Sequence, residues 1–254
     1  MDVNCARGVF VGGASGMCLA TAQLFTDKGG RAAILDRATS DGAAVARRLG
    51  AVFIPCDVVD YEGMGRSIDA AADALGGIEF CVNTAGGAVA TRTLSRAGEM
   101  HPIETFEGVV KLNLLASFNI NRHAARRMAT NAPNADGERG VMINTASIAA
   151  FEGQIGQVAY TAAKAGIAGM TLTMARDLGA LGIRVMAIAP SLFATGMTSR
   201  VAPDVEEKLV RDAAFPRRMG RPEEFARLAV MIFENPMMNG STIRIDGGQR
   251  FAPK

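Results

Sequence analysis

Gly8-Val9-Phe10-Val11-Gly12-Gly13-Ala14-Ser15-Gly16 decides how the rest of the chain is read. Residues 8–11 are a short apolar run, the next five residues contain three glycines, and Leu19, Ala20, Gln23, Leu24 and Phe25 follow at helical spacing until Gly29-Gly30. Strand, glycine turn and helix in that order bring free backbone N–H groups and the partial positive charge of a helix N-terminus to one point. That arrangement suits a pyrophosphate. Gly12, Ser15, Gly16 and Met17 are the candidate contacts for it. Glycine pairs alone are a weak signal, and their place between strand and helix strengthens it.

Outward from this turn the alternation repeats. Residues 31–35 form a second strand closing on Asp36. An acid there accepts hydrogen bonds from ribose hydroxyls and repels a 2′-phosphate, which argues for NAD over NADP. A surface aspartate capping a turn is the plainer alternative, and Arg37 beside it is suited to holding a phosphate. Residues 40–49 read as helix, 51–55 as strand ending before Asp57-Val58, 62–75 as helix stopped by Gly76-Gly77, and 78–82 as the fourth strand. A long helix over 104–128, a strand over 141–144, a helix over 160–178 and a strand over 182–189 follow, then a helix to about residue 233 and a last strand over 241–245. Such alternation with short links predicts an α/β fold. We expect one Rossmann-type domain over residues 1–254, a doubly wound parallel sheet of about seven strands flanked by helices, with any ligand at the strands' carboxyl ends.

Asn144-Thr145-Ala146-Ser147 lies at the end of the fifth strand, and Tyr160-Thr161-Ala162-Ala163-Lys164 opens the helix after it. Positions i and i+4 stack the phenol and the ammonium on one helix face. A phenol titrates near pH 10, and a nearby cation favours the phenolate. Each unit of lowering needs about 1.36 kcal/mol, so two units ask roughly 3 kcal/mol of Lys164 and whatever else is positive nearby. Tyr160 and Lys164 as mere polar residues of an amphipathic helix is the plain alternative. With two tyrosines and five lysines in 254 residues, chance gives this spacing about 4 % of the time, so coincidence is the weaker account.

The set Ser147, Tyr160-x-x-x-Lys164 resembles the active site of the short-chain dehydrogenase/reductase superfamily, and the run from Ile143 to Gln154 is similar in particular to the type II 3-hydroxyacyl-CoA dehydrogenases, also called type 10 17β-hydroxysteroid dehydrogenases. Against the superfamily pattern Thr-Gly-x-x-x-Gly-x-Gly, Gly12 and Gly16 match, while Val11 and Cys18 depart. The resemblance implies that Asp57 and Val58 contact an adenine, that Asn83, Thr84 and Gly86 form a cofactor turn, and that Phe193 and Thr195 lie near the nicotinamide. It implies a fourth catalytic member in Asn113, for which a satisfied core asparagine is the alternative. Tyr160 and Lys164 would also touch the cofactor. The implied activity is NAD-dependent oxidation of a secondary alcohol, a 3-hydroxyacyl-CoA, with hydroxysteroids or branched thioesters as side substrates and Tyr160 as general base. An NADPH-dependent 3-oxoacyl-carrier-protein reductase is the near rival, with Arg122, Arg126 and Arg127 as a patch for an acidic carrier. A scaffold subunit is the distant one, since vertebrate members also serve in a transfer-RNA processing complex.

Composition bounds the rest. Apolar residues make up 49 %, charged ones 20 %, and the net charge of +2 gives no polybasic footprint for nucleic acid. Cys5, Cys18, Cys56 and Cys81 lack ligand spacing and His101 and His123 stand alone, so no metal site is expected. With no apolar leader and no run of about eighteen uncharged apolar residues, a cytoplasmic protein with no membrane span is expected. The helices over 104–128 and 160–178 are charge-poor, which points to a partner subunit, and the family implies a homotetramer. Residues 197–218 mix proline, methionine and short helical signals and are expected to form a substrate lid.

Overall fold

The computed structural model describes residues 1–196 and 202–252. The strands are β1 (Arg7–Val11), β2 (Arg31–Asp36), β3 (Val52–Pro55), β4 (Phe80–Asn83), β5 (Gly140–Thr145), β6 (Ile183–Pro190) and β7 (Thr242–Ile245). They form one seven-stranded sheet in the order β3-β2-β1-β4-β5-β6-β7, and every pairing in it is parallel. The doubly wound sheet expected from the alternation is therefore present. Successive residues of a strand face opposite sides. Phe10, Ile34, Phe80, Val82, Val141 and Ile143 pack on one side with α1 (Gly16–Asp27), α2 (Gly42–Leu49) and α8 (Pro222–Glu234). Val9, Val11, Leu35, Cys81 and Met142 pack on the other with α3 (Tyr61–Leu75), α5 (Ala116–Met128) and α6 (Val158–Gly179). Burial on both sides is why these strands read as unbroken apolar runs. The first core is centred on Phe10, Phe25, Phe80 and Phe233, whose neighbouring ring centroids lie 4.9 to 5.8 Å apart.

Sheet order places the site. The chain runs outward from β1 to β3 and then crosses back to lay β4 on the opposite side of β1. A crevice opens where the order reverses, above the carboxyl ends of β1 and β4. In register, Asn83 of β4 sits beside Asn144 of β5, so polar residues meet at that end of the sheet.

The helix expected over 104–128 is broken. It is α4 (Ile103–Val110), a π turn over Lys111–Leu115, and then α5. Asn113 is the cause we identify: its Nδ2 donates to Val109 O at 2.9 Å and to Gly87 O at 2.8 Å, which ties the turn to the loop after β4. Nor is the charge-free stretch covered on both sides within one chain. Leu115 and Phe118 are exposed, as is Leu172 on α6. Residues 197–201 of the expected lid lie outside the described residues. The remainder holds α7 (Pro203–Val210), and Gln249 Nε2 donates to Leu209 O at 2.8 Å across it. Among the described residues, no helix is long and apolar enough to cross a membrane, and no cluster of potential metal ligands occurs.

At the opposite end of the sheet, β6 carries a buried arginine. Arg184 donates from Nε to Glu138 Oε1 at 2.8 Å, from Nη1 to Ile232 O and Met238 O at 2.8 and 2.9 Å, and from Nη2 to Phe233 O at 2.8 Å. Its fork thereby satisfies carbonyls at and beyond the end of α8, which would otherwise lack donors.

Candidate active site

A cleft of about 460 Å³ follows the crevice, walled by Gly12, Ser15, Gly16 and Met17 on one side, Asp36, Arg37, Asp57 and Val58 at one end, and Thr84, Gly86, Leu112 and Thr195 opposite. Gly12 has φ +78°, and a Cβ there would lie 3.1 Å from both Ala85 N and Thr84 Oγ1. Gly16 has φ +58° and starts α1. The exposed Ser15 and the absence of any acid in α1's first turn leave that helix start open to an anion. Asp36 is fixed by accepting hydrogen bonds from Ala14 N at 3.0 Å and Arg37 N at 2.8 Å. A narrow glycine-walled passage, a helix N-terminus at its middle and a carboxylate at its far end fit a dinucleotide.

Ser147 ends the loop after β5 and caps a short 3₁₀ turn over Ile148–Ala150, its Oγ accepting from Ala149 N at 3.1 Å. Its side chain lies close enough to the Tyr160 phenol to hold that group's pKa down, so two hydroxyls from different elements converge on one spot. Lys164, one turn further along α6, is buried; its Nζ donates to Thr145 O at 2.7 Å and lies 5.6 Å from the Tyr160 ring centroid. Burial lowers the Lys164 ammonium to about 8. Burial also raises the Tyr160 phenol, opposed by the nearby Ser147 hydroxyl. The lowering of the phenol expected from Lys164 is not seen in the chain alone, where burial prevails. Asn113 is fully buried, and Gly87 N donates to its Oδ1 at 3.2 Å. Gly86 brings it close to the lysine, since a Cβ there would stand 2.5 Å from Asn113 Oδ1 and 3.5 Å from Lys164 Nζ.

The side chains of two expected cofactor residues turn away from the cleft wall. Asn83 is buried behind the cleft wall, where its Oδ1 accepts from Ala85 N at 3.0 Å and shapes the turn that carries Thr84 and Gly86. Phe193 turns its ring into the core against Phe225 and the face of Gly220, leaving Thr195 at the cleft. Cys18 is also clear of the cleft wall. Its thiol points between strands, 3.4 Å from Val11 O and 3.8 Å from Val82 O, and burial pushes its pKa up. Sequence reasoning missed Thr145, whose main-chain carbonyl takes the Lys164 ammonium while its hydroxyl donates to Asn83 O. It also missed Ser117, although Asn113 and Ser117 stand at helical spacing.

A family model described as enoyl-(acyl carrier protein) reductase matches residues 12–250. The human protein named 3-hydroxyacyl-CoA dehydrogenase type-2 is 46 % identical over 248 residues, covering 96 % of this chain and 95 % of that one. Its namesake from Drosophila melanogaster is 43 % identical, covering 98 % of both. The crystal structure of 3-hydroxyacyl-CoA dehydrogenase type-2 from Mycobacterium avium superposes with a TM-score of 0.93 at 38 % identity, covering 98 % of this chain and 97 % of that one. With sheet order, cleft and near full-length similarity in agreement, the chain belongs to the short-chain dehydrogenase/reductase family and is an oxidoreductase.

Proposed function

We propose that the protein oxidises a 3-hydroxyacyl-CoA to the 3-oxoacyl-CoA with NAD, reversibly. The observation that carries this is the convergence of the Ser147 and Tyr160 hydroxyls: two hydrogen-bonding groups directed at one oxygen suit an alcohol or carbonyl. When bound, NAD supplies the acceptor for the hydride from the carbinol carbon. Tyr160 Oη takes the hydroxyl proton, Ser147 Oγ donates to the oxygen as it becomes a carbonyl, and Lys164 Nζ holds the nicotinamide ribose. Asn113 supports the lysine from the π turn. Gly12, Ser15, Gly16 and Met17 hold the pyrophosphate, Asp36 the adenosine ribose, Asp57 and Val58 the adenine, and Thr84, Gly86 and Thr195 the other half. The names of the relatives support the acyl-CoA class, with hydroxysteroids as side substrates.

One observation favours a second reading. Arg37 lines the cleft beside Asp36, where it suits a 2′-phosphate and hence NADPH-dependent reduction of a carrier-bound 3-oxoacyl group. Against it, the arginines expected to meet an acidic carrier are engaged: Arg126 pairs with Asp69 at 2.7 Å, Arg127 with Asp73 at 2.5 Å, and Arg122 bonds Asn119 at 2.8 Å. Steady-state turnover of NAD and NADP across a series of 3-hydroxyacyl-CoA lengths separates the readings, and a preference for NADP overturns ours. Loss of turnover in Tyr160→Phe, with any partner binding retained, tests the scaffold alternative. The exposed Leu115, Phe118 and Leu172 support burial against further copies of the chain as a homotetramer, which sedimentation velocity checks. The same reading gives the protein no nucleic-acid or membrane partner and places it in the cytoplasm, which cell fractionation tests.

A further inference from the structure

A chain of four buried hydrogen bonds runs from the lysine to the asparagine beneath the cleft. Lys164 Nζ donates to Thr145 O at 2.7 Å, and Thr145 Oγ1 donates to Asn83 O at 2.8 Å. Asn83 Nδ2 donates to Ser117 Oγ at 2.9 Å, and Ser117 Oγ donates to Asn113 O at 2.6 Å. Gly86 stands beside both ends of this chain, next to Asn113 Oδ1 and Lys164 Nζ. Exposure is 4 % for Lys164, 6 % for Thr145, 2 % for Asn83, 2 % for Ser117 and 0 % for Asn113, so water does not compete for these bonds.

Ser117 lies in α5, one turn past Asn113, where it links β4 to the π turn. Its hydroxyl is both acceptor from the sheet and donor to the π turn, using the two capacities a serine has. A serine donating to the carbonyl four residues earlier loosens an ordinary helix. Here that bond falls on Asn113 in the π turn, where the helix has already departed from regular geometry. Rotation or slip of the turn would carry Asn113 away from Gly86 and Lys164.

We infer that Ser117 is a positioning residue for the reaction, setting the place of Asn113 relative to Lys164 by pinning the π turn to β4. The inference rests on the proposed roles of Lys164 and Asn113. Removal of the hydroxyl leaves the Asn83 amide without its acceptor and the turn without its anchor. Packing alone would predict a different outcome, because alanine fills nearly the same space.

The test is a set of variants, Ser117→Ala, Ser117→Thr, Asn113→Ala and the double variant, assayed with NAD and a 3-hydroxyacyl-CoA beside thermal unfolding. Expected are a fall in kcat of about tenfold for Ser117→Ala with KM for NAD within about twofold, and recovery to within about threefold in Ser117→Thr. The double variant should lose no more than about twofold beyond Asn113→Ala, since both act through one group. The acid limb of the kcat profile should move by about half a unit in Ser117→Ala. A lowered melting temperature with unchanged kcat and an unmoved limb overturns the inference, as do effects in the double variant that multiply. Should the alanine variant fail to fold, Ser117→Cys keeps the volume and weakens both bonds, and the same outcomes decide. Dinucleotide binding by fluorescence across the pH range reads any displacement of Lys164 without turnover. Absence of turnover in the unaltered protein would therefore sink the proposed substrate, while a midpoint that fails to move in Ser117→Ala would sink this inference.

Discussion

Two cations are buried at opposite ends of the same sheet, Lys164 at 4 % exposure and Arg184 at 5 %. Arg184 has a carboxylate: Glu138 meets it at 2.8 Å, and three carbonyls take its other donors. Burial lowers the arginine and raises the glutamate, but hydrogen bonds from Asn134 and Arg184 prevail and hold Glu138 below the usual carboxylate range. Lys164 has no carboxylate within ion-pair distance among the described residues, only a carbonyl and the face of an aromatic ring. Its pKa consequently falls to about 8. A buried cation given a full set of partners becomes a fastener; one denied a counter-ion stays responsive to protons and to what enters the cleft.

The largest expected effect tests the responsive cation. Lys164→Met should lower kcat by about a thousandfold, within the range of acid–base groups, while the urea midpoint at neutral pH holds or rises because a desolvated charge is gone. A variant that unfolds instead would erase the contrast. Arg184→Met should do the reverse, costing about 3–5 kcal/mol by urea unfolding because three buried carbonyls lose their donors and Glu138 keeps only the N-terminal ammonium and Asn134, with kcat per folded molecule within about threefold.

Proton linkage sharpens the comparison further. A lysine whose folded pKa lies below its unfolded value binds fewer protons in the native state, so stability rises with pH through the interval between the two. From a folded value of about 8, the unaltered protein should gain roughly 2 kcal/mol on Lys164→Met between about pH 7 and pH 10, read from paired urea titrations. Equal slopes for both proteins would show that the lysine is solvated. The smallest effect is expected at Cys18, whose thiol faces Val11 O and Val82 O. Cys18→Ala should change the dinucleotide Kd by less than about twofold in a fluorescence titration, and a larger change would mean that the first turn of α1 is tuned by its core side.

What was legible followed from local rules. The turn from Gly12 to Gly16 needs glycines for backbone reasons that act within a few residues, and alternating apolar runs need only two covered faces. The Tyr160 and Lys164 pairing needs only helical spacing. Features set by distant parts of the chain were not legible. Phe193 faces the core because Gly220 offers a flat backbone against which its ring packs. The break at Lys111–Leu115 depends on where Asn113 meets Gly87, a contact between the loop after β4 and a helix. Arg184 has its place in an apolar strand only because Glu138 and the end of α8 surround it, and sequence reasoning did not single it out. For the chain alone, spacing reports the charge neighbouring Tyr160 but not the depth of burial that raises the phenol.

The position of β1 between β2 and β4 has a consequence for how the protein is made. In chain order, β1 gains its second neighbour only after residue 80, and the serine, tyrosine and lysine follow more than sixty residues after that. A nascent chain lacking α6 therefore has a half-built floor for the dinucleotide and an unpaired strand edge, a species that invites chaperone capture. On the proposed function, catalytic competence arrives late in synthesis, once α6 has been made.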